Sequence, residues 1–370
     1  MISIIGAGPA GSYLGYLLSK NNIPCRIIEQ KREIGIPEQC TGLISRNLEE
    51  LIPISWVKKS IQNSVNGAVI SCGKSSFEIS AGQPKAYVFD RTLFDQAVAE
   101  RADKAGCRIM LGKKYISHKA GDNINVKLSS GNSEKIMQAS SLVGADGPHS
   151  SVARQSGLYG KRIFWTGTQV ILRTKKPFFE KDRVYVFLDR RYSDGFFAWT
   201  VPLDEDHAKV GLASYTNPAG YLRRLLKEKF HDHEVKDRSA GIIPVYRKIP
   251  VQNKAKNTFL IGDAAMQVKA TSGGGVVNGM LAAKELLKAI KSGDMDYEKR
   301  IGFIRRNLWL HLRLRKKLNS MDDNMKESLL RTLNDSDVKK VLRKKGDMDF
   351  PKRFIFDVLL AKPGLLRFIL

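Results

Sequence analysis

The chain opens Ile4-Ile5-Gly6-Ala7-Gly8-Pro9-Ala10-Gly11, and this glycine spacing restricts the fold more than any other stretch. Ser3 to Ile5 read as a short strand. The glycines fall where a strand must turn sharply, admit phosphates against bare backbone, and let a helix pack close to a sheet. Leu14, Leu17 and Leu18 recur at helical spacing, so a helix opening at Pro9 and Ala10 aims its unpaired N–H groups at the turn. A second strand, Cys25 to Ile28, delivers Glu29. It lies about eighteen residues past the last glycine, where a carboxylate accepts ribose hydroxyls and repels a 2′-phosphate.

Two further blocks match the same ligand. Gly144-Ala145-Asp146-Gly147-Pro148 follows apolar Leu142 and Val143, and Gly262-Asp263-Ala264 follows apolar Phe259 to Ile261. Both carboxylates therefore stand at carboxyl ends of strands, where α/β sheets bind ligands. Ser272-Gly273-Gly274-Gly275-Val276 comes next, with backbone bare enough to approach a flavin ring. Met280, Leu281, Leu286, Leu287 and Ile290 continue it as a helix whose N-terminal dipole faces that ring. In this order the blocks specify FAD, and Glu29 disfavours NADP.

Because the blocks are far apart, the α/β Rossmann-like FAD-binding domain must be discontinuous, comprising residues 1–55, 85–159 and 244–292. Residues 56–84 and 160–243 read as insertions that together form one antiparallel β-sheet, the α+β substrate domain. Its strands are Gly67 to Cys72, Ser76 to Ser80, Thr168 to Thr174, Arg183 to Leu188, Phe196 to Val201 and Lys209 to Ala213. Thr92 to Lys104 reads as an amphipathic helix, and Lys114 to Leu128 as a hairpin turned at Gly121-Asp122-Asn123. Residues 293–370 form a C-terminal helical region of basic character: Tyr297 to Leu318, Asn324 to Lys345, and a terminal piece from Phe354. Apolar residues with interspersed Lys and Arg in that last piece suit a cover over a lipid tunnel, a membrane surface, or a face packed on the core.

Composition narrows the partners. A chain of 370 residues, 42% hydrophobic, can bury a substantial core. It has no uncharged apolar run of about eighteen residues, and strand one leaves no room for a signal peptide. The expected setting is cytoplasmic, peripheral at most on the inner face of the cell membrane. Four cysteines and six histidines show no metal-ligand or C-x-x-C spacing, so neither a metal nor a disulfide framework is expected. The net charge of +25 favours anionic partners such as phospholipid surfaces, pyrophosphates and acidic electron carriers. No nucleic-acid module is visible, and nucleic acid is not an expected partner.

The three blocks resemble the flavoprotein superfamily that includes p-hydroxybenzoate hydroxylase, geranylgeranyl reductases and related halogenases. The resemblance implies that Asp146 and Gly147 bridge to FAD, that Gly262 and Asp263 hold its ribitol and pyrophosphate, and that Arg91 opens a helix beside it. Two other stretches narrow the match. Gln39-Cys40-Thr41-Gly42-Leu43-Ile44-Ser45 resembles the cysteine loop of archaeal-type geranylgeranyl reductases, which saturate the isoprenoid chains of membrane ether lipids. Phe197-Ala198-Trp199-Thr200-Val201-Pro202 with Gly211-Leu212-Ala213 resembles that family's aromatic-x-Trp-x-Phe-Pro…Gly-x-Gly motif, although Val201 replaces Phe and Ala213 the second Gly.

The implied enzyme is an FAD-dependent oxidoreductase acting on CH–CH groups of a prenylated phospholipid. Hydride would come from reduced flavin N5 and a proton from the protein, with Cys40, beside Gly42 at the flavin, as proton donor or as a group tuning the carbocation environment. Phe197 and Trp199, two apart on one strand, share a face and wall an apolar channel; Gly211 belongs to the same substrate motif. No second G-x-G-x-x-G serves a nicotinamide, so electrons arrive from docking NAD(P)H or from a ferredoxin-type protein. The FAD blocks alone also fit an aromatic monooxygenase, a non-redox lycopene-cyclase-like flavoprotein, or a lipid-binding protein retaining FAD.

Overall fold

The computed structural model describes residues 1–174, 179–294 and 296–368; the last two residues of the terminal piece lie outside them. Ile2–Ile5, Cys25–Ile28 and Ser141–Gly144 are buried at every position, as expected of parallel strands covered on both faces. They form the middle of a six-stranded sheet in the order Gln252–Asn253, Thr258–Leu260, Ser141–Gly144, Ile2–Ile5, Cys25–Ile28, Arg108–Met110. All pairs are parallel except the short first one. The strands that precede the three glycine and aspartate blocks are neighbours, so the blocks emerge side by side at one sheet edge.

Helix α1 (Pro9–Lys20) follows the first block, and α2 (Arg91–Lys104) begins at Arg91 with Asp90 as N-cap, its side chain accepting the Leu93 N–H. Leu14, Leu18, Phe94, Val98 and Phe259 are completely buried around the parallel sheet. Truncating one such leucine to alanine costs about 2–5 kcal/mol. A three-stranded meander, Lys114–Lys119, Ile124–Ser130 and Ser133–Ala139, includes the expected hairpin. Its last strand is polar and exposed through most of its length, which hides it from hydrophobic patterning.

The two insertions share a seven-stranded sheet ordered His233–Pro244, Phe164–Thr174, His207–Ser214, Ala198–Pro202, Arg183–Phe187, Gly67–Cys72, Ser75–Ser80. One pair departs from the antiparallel expectation: Arg183–Phe187 and Gly67–Cys72 run parallel. These strands come from separate excursions of the chain, so no hairpin dictates their direction. Ile61–Val65 also departs, pairing with Ala86–Phe89 beside Leu43–Ser45 in a small separate sheet. The edge strand His233–Pro244 was not anticipated, because its residues, half of them exposed, show no apolar alternation. After α3 (Ser151–Gln155), helix α4 (Pro218–Lys229) packs Leu222 and Leu225 under this sheet.

Helix α5 (Val276–Ser292) leaves the third glycine run. The basic region then folds as α6 (Tyr297–Arg300), α7 (Gly302–Ser320), α8 (Asp323–Leu333), α9 (Ser336–Lys345) and α10 (Ile355–Ala361). The expected single helix from Asn324 to Lys345 is two, because the Asp335 carboxylate accepts the N–H groups of Asp337 and Val338 and starts a new one. No helix among the described residues is long and apolar enough to cross a membrane.

Candidate active site

At the shared sheet edge the backbone of the first block is as bare as the sequence requires. Gly6 has φ +104°, and a β-carbon there would overlap the Ala145 carbonyl of the second block. A β-carbon at Gly8, by contrast, would meet nothing within 4 Å, leaving room for a phosphate at the N-terminus of α1. Glu29 turns back to this loop: Oε2 accepts the Ala7 N–H at 2.8 Å and Oε1 the Lys31 N–H at 2.9 Å. Gly262 lies against Ala10, with a β-carbon there 3.2 Å from that of Ala10.

The two block aspartates differ. Asp146 accepts Ser150 Oγ at 2.6 Å and the Val152 N–H at 3.0 Å, so its carboxylate organises the start of α3. Burial raises its pKa, and those hydrogen bonds oppose the rise. Burial also pushes the Asp263 carboxyl above the usual range, with only the neighbouring Arg91 charge pulling it back. One turn into α5, the Asn278 amide is 1% exposed and neither its oxygen nor its nitrogen has a hydrogen-bond partner. A buried amide without partners is costly, and a polar ligand along this edge relieves it. Sequence reasoning missed Asn278; a polar residue amid apolar helix positions was the available signal.

Arg91 joins the two ends of the site. Its guanidinium grips Asp95 through two nitrogens at 2.9–3.1 Å. Burial works against its charge, and Asp95 and the Cys40 sulfur more than offset it, keeping it protonated. Arg91 thus neighbours both Cys40 and Asp263, which are far apart in sequence. The Cys40 sulfur accepts the Gly42 N–H at 3.4 Å. Gly42 itself has φ +84°, and a side chain there would overlap the Phe89 carbonyl.

The Cys40 loop is tied to the large sheet by residues that the sequence did not single out. Thr41 Oγ1 donates to Gln169 Oε1 at 2.7 Å, and Gln169 Nε2 donates to Ser239 Oγ at 3.1 Å. Beside them Lys209, 2% exposed, pairs with Glu38. A buried ammonium survives only with such a partner.

The loop faces a cavity of about 1070 Å³. Cys40, Gly42, Gly273 and Gly274 line it at the cofactor end, and Phe197 and Trp199 stand in its wall. The strand begins at Ala198, two residues later than expected, yet the Phe197 and Trp199 rings meet at 6.0 Å. Gly211 is absent from the lining. A β-carbon there would come within 2.6 Å of the Gln169 Cβ, 2.7 Å of the Thr168 carbonyl and 2.9 Å of the Trp199 ring, so the glycine makes room for the adjacent strand and the indole. Phe196 stacks on Phe197 at 4.2 Å, and Arg315 of α7 lies over both rings. Its guanidinium donates to the Ala270, Phe196 and Thr271 carbonyls; burial lowers its pKa to about 9.

The far walls come from the basic tail. Leu310 and Leu314 of α7, Leu330 of α8, and Phe354, Val358 and Phe368 around α10 all line the cavity. The described residues of the terminal piece thus line the cavity and also pack against α8 and α9. The tail is fastened by Asp349, 1% exposed, which pairs with Lys269 beside the third glycine run and accepts from Ser45 and Asn47. His311 Nε2 donates to the Asp349 carbonyl at 2.9 Å, and Nδ1 meets Thr271 Oγ1 at 2.6 Å. Burial holds this imidazole neutral, with a pKa near 4.

Residues 1–292 match the family described as FAD binding domain. The digeranylgeranylglycerophospholipid reductase 3 of Methanosphaera stadtmanae is 30% identical, with 80% of each chain covered. This chain belongs to the geranylgeranyl reductase family. A second reductase of that name, from Methanocaldococcus jannaschii, is 27% identical to this family member over 99% of its length and 96% of the relative's. A solved geranylgeranyl bacteriochlorophyll reductase-like protein from Thermoplasma acidophilum has the same fold, at TM-score 0.86, 22% identity, and coverage of 100% and 98%. The geranylgeranyl reductase fold here is therefore that of an FAD-dependent oxidoreductase, and FAD is its cofactor. The open space at Gly8, the desolvated Asp263 and the unpartnered Asn278 amide fit that group.

Proposed function

We propose that this enzyme saturates C=C bonds in the geranylgeranyl chains of archaeal-type ether phospholipids or their precursors. The observation that carries the reading is the cavity: about 1070 Å³, above the roughly 300–1,000 Å³ of ordinary ligand pockets, walled by leucine and aromatic side chains and bordered by the Cys40 loop and the glycines of the third block. A long isoprenoid chain fills such a volume.

Reduced FAD, when bound, supplies hydride to one alkene carbon. The protein's part is to exclude water, fix the alkene and manage a proton. The apolar walls do the first two. The Trp199 ring favours a developing positive charge, whereas the Phe196 and Phe197 rings stack on each other under Arg315. The Cys40 thiol, held by the Gly42 N–H and by Arg91, supplies the proton to the second carbon. Arg91 positions Cys40 and counters the Asp263 charge.

Electrons come from NAD(P)H or from an acidic redox protein; the net charge of +25 supports the latter. Contact with a lipid surface is part of the same reading, supported by exposed Trp309, Phe356, Leu360 and Leu366 next to residues that line the cavity. The test is anaerobic reoxidation of photoreduced enzyme. Geranylgeranylated phospholipid should reoxidise the flavin and its saturated counterpart should not. Cys40→Ala should keep its FAD and slow reoxidation about 100-fold; an undiminished rate would remove Cys40 from the mechanism.

A further inference from the structure

Every charged residue lining the cavity is a cation: Lys269, Arg313, Arg315, Lys316 and Lys317. No carboxylate is among them. Two of the five are already satisfied, Lys269 by Asp349 and Arg315 by three backbone carbonyls. Arg313, Lys316 and Lys317 remain. None of the three side chains has an ion pair or hydrogen bond among the described residues, and the Arg313 guanidinium rests on the exposed Trp309 ring, 5.3 Å from its centroid. Spaced i, i+3 and i+4 on α7, they form one patch on that helix. Arg313 and Lys316 are exposed and Lys317 half-buried, and Leu310 and Leu314 of the same helix line the apolar interior. The helix dipole favours cations only in the last turn, which holds Lys317 alone of the three.

We infer that Arg313, Lys316 and Lys317 form a phosphate subsite that holds the anionic head of an amphiphile while its apolar chain occupies the cavity. The inference rests on the proposed function and adds the head-group site to it. Converging ammonium and guanidinium groups select a phosphate mono- or diester over a neutral glycerol head. The same chemistry would attract free inorganic phosphate, so the test includes both sources.

The experiment uses the full-length enzyme with FAD bound and follows the flavin absorbance change on titration with digeranylgeranylglyceryl phosphate, with digeranylgeranylglycerol, and with inorganic phosphate. The triple variant Arg313→Gln, Lys316→Gln, Lys317→Gln should bind the phosphorylated lipid about tenfold more weakly or worse, and the unphosphorylated lipid as the wild type does. A charge-matched variant at exposed α9 positions, Lys340→Gln, Arg343→Gln, Lys344→Gln, should bind the phosphorylated lipid normally. Equal wild-type affinity for the two lipids, or equal loss in the two variants, would overturn the subsite. Inorganic phosphate binding as tightly as the phosphorylated lipid would assign the patch to free phosphate and overturn it as a lipid subsite. Failure of either lipid to bind the wild type would instead remove the prenyl-lipid reading of the cavity, and the subsite with it.

Discussion

The two ends of the cavity are built by different means. At the cofactor end, bare backbone and carboxylates come from short turns on three adjacent parallel strands, and each turn is specified by a contiguous stretch of sequence. At the tail end, the wall is made of side chains from three helices, α7, α8 and α10, brought together only by tertiary packing. One buried knot, Lys269, Asp349 and His311, joins the two. Affinity for the cofactor and the walling of the cavity are therefore separable properties, linked through that knot and through Arg315, which donates to the Ala270 and Thr271 carbonyls.

The largest effect should come from breaking that link. Lys269→Met leaves Asp349 buried without its cation, a loss of about 3–5 kcal/mol in unfolding free energy. The double change with Asp349→Leu should recover most of it in denaturant titrations. If the single variant is as stable as the wild type, the tail is not fastened there.

His311 gives the next effect, through pH. Its folded pKa near 4 lies below the ordinary histidine value, so the fold favours the neutral ring. That stabilisation is complete above about pH 6.5 and is lost as pH falls toward 4, an effect of about 3 kcal/mol in all. His311→Gln should flatten the slope of stability against pH in this window; an unchanged slope would exclude the imidazole as its source.

Smaller effects distinguish the glycines. A β-carbon at Gly11 overlaps the Gly6 carbonyl, so Gly11→Ala should destabilise even the apoprotein, by about 1–3 kcal/mol. At Gly8 the added carbon meets no protein atom, so Gly8→Ala should leave apoprotein melting unchanged and weaken FAD retention. Equal behaviour of the two would collapse the contrast between folding and cofactor roles. The smallest effect concerns the surface: reduction by an acidic protein donor should slow steeply with added salt, whereas salt independence would favour NAD(P)H.

The same contrast explains what the sequence disclosed. The cofactor end was legible because each block is contiguous and its chemistry is local: Gly6 to Gly11, Glu29, Asp146 and Asp263 fall where spacing alone places them. The cavity was legible only through the Cys40 and Trp199 stretches. Lys209 and Glu38, Gln169 and Thr41, and Lys269 and Asp349 are pairs of isolated polar residues between 80 and 171 positions apart, and no periodicity marks them. The cysteines make the point again. Cys25 and Cys107 show no spacing motif, yet their sulfurs lie 3.4 Å apart as free thiols, because Arg26 and Arg108 pair in register on adjacent strands.

The central claim is that the apolar cavity serves to add hydrogen to an isoprenoid chain. Reduced enzyme should be incubated anaerobically with geranylgeranylated phospholipid and the product weighed by mass spectrometry. The account predicts a gain of two hydrogens for each bond saturated, with no oxygen required. A product of unchanged mass, or one formed only in air with an added oxygen atom, would contradict it.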